Sequence, residues 1–66
     1  MTKICRISPV STHSWQVEVD DTCVSVRATR DEAIEIALRI VDAYTQVGVP
    51  CEAVLSSDSR PVRIAA

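Results

Sequence analysis

The chain has 66 residues, seven Lys or Arg against nine Asp or Glu, and a formal net charge of −2. That length predicts one domain, close to the lower limit for a single hydrophobic core, and at 47% hydrophobic residues the chain is too apolar to be disordered. The slightly acidic balance speaks against non-specific nucleic-acid binding, which rests on neutralising several phosphates at once.

The N-terminal "MTKICRISPVST" has no apolar run of the roughly 7–15 residues that a secretory signal needs. No stretch approaches the roughly 20 apolar residues that span a bilayer, so a cytoplasmic protein without membrane contact is expected. "KICRIS" alternates Cys5 and Ile7 with Ile4, Arg6 and Ser8, a strand pattern that Pro9 is expected to end because proline cannot donate to a ladder. "PVSTH" then reads as a loop.

"SWQVEVDDTCVSVRA" carries the clearest two-strand signal. Trp15, Val17 and Val19 alternate with Gln16, Glu18 and Asp20; beyond Asp20-Asp21, Val24 and Val26 alternate with Cys23, Ser25 and Arg27. Period-2 patterning on both sides of a short polar break predicts an antiparallel hairpin with one buried face. Its Asp-Asp tip is a weaker turn signal than Asp-Gly.

"ATRDEAIEIALRIVDAYTQVGVP" reads as a helix over 30–47, roughly 27 Å long at 1.5 Å per residue. Thr29 with Glu32 three positions on forms a capping box, Asp31 and Glu32 suit the positive end of the helix dipole, and Gly48 and Pro50 mark the stop. In "PCEAVLSS", Cys51, Ala53 and Leu55 oppose Glu52, Val54 and Ser56; "SSDSRP" is a turn by composition; "PVRIA" resumes with Val62 and Ile64 facing one way and Arg63 the other. The elements sum to an α+β two-layer sandwich, an antiparallel sheet of four to five strands in the order β-β-β-α-β-β with one helix on one face.

Residues 14–64, "SWQVEV…ATRDEAIEIA…VLSSDSRPVRI", resemble a family of small bacterial proteins labelled domain of unknown function 2188. Trp15 and Val17, the Thr29-x-x-Glu32-Ala33 helix start and the Asp58-centred turn carry the likeness. A Gly often expected in that last turn is replaced by "SDSRP". The resemblance implies a ββαββ-like fold and carries no activity.

Chemistry has few places to reside. Cys5, Cys23 and Cys51 are odd in number and widely spaced, which predicts free thiols acting as small hydrophobes rather than a disulfide framework. With His13 they lack the paired spacing of a metal site, so no metal or other cofactor is expected. His13 sits in the polar "STHS" with no arranged nucleophile beside it. Asp20-Asp21 and Asp31-Glu32 are accounted for by a turn and a cap. On the open sheet face, Arg6, Arg27 and Arg63 are the candidate binding residues for nucleic acid, diluted by Glu18 and Glu52 and without an aromatic stacking platform.

The helix is the informative element. Ala33, Ala37, Ile40 and Tyr44 form the stripe expected to face the sheet, with Ile36, Ala43 and Val47 on one flank and Ile34, Leu38 and Val41 on the other. The apolar arc is about 220° wide, against the roughly 100° or more of a one-sided surface helix. Either a twisted sheet cradles the helix deeply, or a partner is involved, packing on the helix flank or pairing with an edge strand across subunits. The second option predicts a homodimer, or another protein partner, meeting Ile34, Leu38 and Val41. The expected function is thus a non-catalytic interaction module, with nucleic-acid binding through the open sheet face as the alternative.

Overall fold

A computed structural model describes residues 2–57 and 60–65. In chain order they form β1 (Lys3–Ser11), β2 (Ser14–Val19), β3 (Thr22–Arg27), α1 (Arg30–Gln46), β4 (Cys51–Ser57) and β5 (Arg60–Ala65). The expected turn around Asp58 lies outside the described residues. The α+β class and the order of elements agree with expectation. All five strands join one sheet, in the order β3-β2-β1-β4-β5. No helix among the described residues is long and apolar enough to cross a membrane.

The sheet is mixed, which corrects the antiparallel expectation: β1 pairs with β2 antiparallel and with β4 parallel. The parity of the chain explains this. After two hairpin reversals β3 runs parallel to β1, and α1, about 25 Å long for its 17 residues, carries the chain back to the end at which β3 began. A strand entering there beside β1 can only run parallel to it, so β3–α1–β4 is a crossover connection.

Pro9 does not end β1, which continues to Ser11. The Lys3 N–H donates to the Pro50 carbonyl, so by alternation residues 5, 7 and 9 direct their backbone nitrogens toward β4. The β4 pairing stops at Ile7↔Leu55, the last pair before the donor that Pro9 lacks would be needed, while the pairing of Pro9 with Trp15 of β2 continues.

The β2–β3 turn places Asp20 at φ 48° and Asp21 at φ 69°, the two left-handed residues of a type I′ hairpin. Asp20 ties this turn to the start of β1. Its carboxylate accepts from the Ile4 N–H at 3.2 Å and pairs with Lys3 Nζ at 3.0 Å. The Lys3 and Ile4 hydrogen bonds hold the Asp20 carboxyl below its ordinary range, and the same Asp20 partner raises Lys3.

α1 starts and stops as its sequence predicts. Thr29 Oγ1 accepts from the Glu32 N–H at 3.2 Å and donates to the Glu32 carboxylate at 3.1 Å. At the other end Gly48, at φ 80°, lets the Gly48 N–H reach the Thr45 carbonyl and the Val49 N–H reach that of Tyr44, a Schellman closure.

One face of the sheet packs on α1. Strand alternation delivers Cys5, Ile7, Val17, Cys51 and Ala53 to it, and all are buried. From the helix, Ala33, Ala37 and Val41 meet them. This stripe sits about 30° round the helix from the expected one, at 100° per residue. A row of slim side chains four residues apart lets helix and sheet approach closely, while the bulkier Ile40 and Tyr44 stand half-buried at its margin. The fully enclosed core is thin: only Ile7, Val17 and Val41 among its eight residues are larger than Ala or Cys.

Candidate functional site

Both edge strands carry an extra residue. Opposite β2, Val17 pairs with Ser25 but Glu18 pairs with Cys23, so Val24 is a bulge in β3. Opposite β4, Ala53 pairs with Ala65 but Val54 pairs with Arg63, so Ile64 is a bulge in β5. A bulge bends an edge strand and interrupts its row of free hydrogen-bonding groups, a known protection against edge-to-edge pairing. β5 adds Pro61, which has no N–H to offer.

The β3 bulge also inverts the faces downstream. Ser25 and Arg27 pair with Val17 and Trp15 and therefore lie on the helix side, while Val26 pairs with Gln16 and lies on the open side. This corrects the expected placement of Val26 in the buried face and of Arg27 on the open one. A one-residue slip moves every following side chain to the other face, and nothing in the alternating "TCVSVR" marks where the slip occurs.

Val24 itself stays on the helix side, where it builds one wall of an apolar groove of about 370 Å³. Val19 of β2 forms the floor beside it, and Ile40, Ala43 and Tyr44 of α1 form the other wall together with Val47 just beyond it. Val24 is 52% exposed and Val47, at the helix C-cap, 74%. The lining is aliphatic apart from the Tyr44 phenol. Such a surface binds by excluding water from apolar area.

The helix residues expected to face a partner are divided. Val41 is 7% exposed and belongs to the core, which corrects its assignment to the outer flank. Ile34 is half-buried against the core, and Leu38 remains 43% exposed on the flank away from the groove. The rotation of α1 that brings Val41 inward leaves Ala43 and Val47 outside. The surplus apolar surface therefore concentrates on the β3 side, next to Val24. Ala43 and Val47 were legible in the sequence as a helix flank; the contribution of Val24 was not.

On the open sheet face, Arg6 and Arg63 lie in one cross-strand row through Val54. Arg63 stands 3.4 Å from Glu52, and Arg6 is 4.0 Å from Asp21. Beside Arg6, Ile4, Glu18, Asp20 and Asp21 line a polar hollow of about 140 Å³. Each of these arginines already has a carboxylate within ion-pair distance, and Arg27 lies on the other face.

Cys5 and Cys51 are buried and Cys23 is exposed on the open face, none of them in a disulfide. Burial, followed by the neighbouring Cys51, pushes the Cys5 thiol up to about 11. Burial also raises Cys51, with smaller contributions from Asp20 and Glu52. Both thiols are thereby kept protonated and unreactive at neutral pH. His13 is exposed in the β1–β2 turn, and among the described residues no three His, Cys, Asp or Glu side chains group as metal ligands.

No family model, curated protein or solved structure matches the chain.

Proposed function

We propose that the protein is a non-catalytic interaction module that associates with a second copy of itself through the groove between α1 and β3. The observation that carries this reading is the groove itself, an apolar channel in which Val24 and Val47 each leave more than half their surface exposed. Three further features support it. The enclosed core of one copy is thin, and a small domain gains most from additional burial. Bulges in β3 and β5 disfavour association through the sheet edges, which leaves the helix flank. A second copy is always present, and two-fold pairs use one patch on both subunits, so a single self-complementary groove suffices.

Size sets the extent of such an interface. A standard one takes roughly 800 Å² from each partner, close to a fifth of the 4425 Å² that this copy exposes. The contact must then run beyond the groove, over the Val47 end of α1 and the outer side of β3. The nucleic-acid alternative has less support, because of the three candidate arginines Arg6 and Arg63 alone share the open face and both face carboxylates.

Sedimentation equilibrium over micromolar to millimolar concentration tests the reading. The wild-type chain should reach twice its monomer mass, and Val47→Glu and Val24→Glu should each hold it at monomer mass with an unchanged far-UV spectrum. A wild-type chain that stays monomeric throughout, or variants that dimerise as it does, overturns the proposal.

A further inference from the structure

We draw no further inference here: the strongest candidate, the polar hollow on the open sheet face beside Arg6, Glu18, Asp20 and Asp21, is an acidic cluster whose Asp20 carboxylate is already engaged by Lys3 and the Ile4 amide, and no second feature of the structure points to a ligand there.

Discussion

The two outer hairpins use the same device with opposite results. Each edge strand inserts one extra apolar residue opposite its neighbour, Val24 in β3 and Ile64 in β5. Ile64 folds against the core and is half-buried, whereas Val24 stays more than half exposed along the groove. The helix makes the difference. Its inward row is Ala33, Ala37 and Val41, and the flank that remains over β2–β3 narrows to Ala43 and ends in the exposed Val47. A bulge residue is therefore a packing element on one side and an uncovered apolar surface on the other. Local strand geometry does not decide which; the side chains facing it do.

A charge on the inner row of α1 should be far more damaging than one on its outer flank. Val41→Glu buries a carboxylate with no partner, at a cost of more than about 4 kcal/mol. Total stability for a domain this small is roughly 3–10 kcal/mol, so circular dichroism should show an unfolded or nearly unfolded chain. Leu38→Glu, on the exposed flank, should keep its fold. Similar melting of both variants would return Val41 to the surface and remove the basis for placing the groove on the β3 side.

The floor shared by both sides is next. Cys5 has its folded-state pKa raised to about 11 from an ordinary value of 9.0. The folded state therefore favours the protonated thiol. Its contribution is fully present below about pH 9 and is lost as pH rises from there through 11, where the folded protein too releases the proton. Two units correspond to about 2–3 kcal/mol at most. Urea midpoints at pH 8 and pH 10.5 should differ less in Cys5→Ala than in the wild type. Equal pH slopes in the two proteins would mean that the thiol is not sealed in the core.

Truncating each bulge residue reads out how far the chain covers it. Ile64→Ala removes apolar volume packed on the core and should cost about 1–2 kcal/mol, less than a fully buried truncation. Val24→Ala should change monomer stability by no more than about 0.5 kcal/mol, as for an exposed position. The informative measurement is thermal melting at a protein concentration low enough to hold the monomer. A larger loss at Val24 than at Ile64 would mean that Val24 is covered within a single copy.

Much of this architecture was legible from residue order, and the exceptions share a cause. Thr29, Glu32 and Gly48 mark the helix because caps are local: their partners lie within four or five residues. The alternation of Cys5 with Ile7 and of Cys51 with Ala53 marks the buried face for the same reason. What escaped was set by neighbours distant in sequence. The parallel β1–β4 pair depends on where the returning chain is admitted, and the tolerance of Pro9 on which neighbour its nitrogen faces. The inversion of Val26 and Arg27 follows from a bulge against β2 that no local pattern records. The groove escaped for the same reason, since one wall was readable as a helix flank and the other depended on the bulge. The inward turn of Val41 followed from the fit of three slim side chains on the sheet, which periodicity locates only to within a residue or so.

The smallest effect concerns the turn that holds the β3 wall in place. Asp20 and Asp21 both occupy the left-handed region, which costs a non-glycine residue energy. Asp20 gains the Lys3 ion pair and the Ile4 hydrogen bond in return. Asp21 has only Arg6 at 4.0 Å, and its side chain is 91% exposed, so its charge contributes little. Asp21→Gly produces the Asp-Gly pair that type I′ hairpins favour and should stabilise the protein by about 0.5–1 kcal/mol, less the added freedom of the unfolded chain. At this chain length that raises Tm by a few degrees. Asp21→Ala removes the same carboxylate but keeps a Cβ, so it should leave Tm unchanged or lower. The two variants share the loss of charge, so a higher Tm for glycine than for alanine reports strain at φ 69° that exceeds glycine's extra unfolded-chain freedom. If both shift Tm equally, strain at Asp21 is no larger than that freedom, and the position of Val24 is held by β2 pairing and the groove.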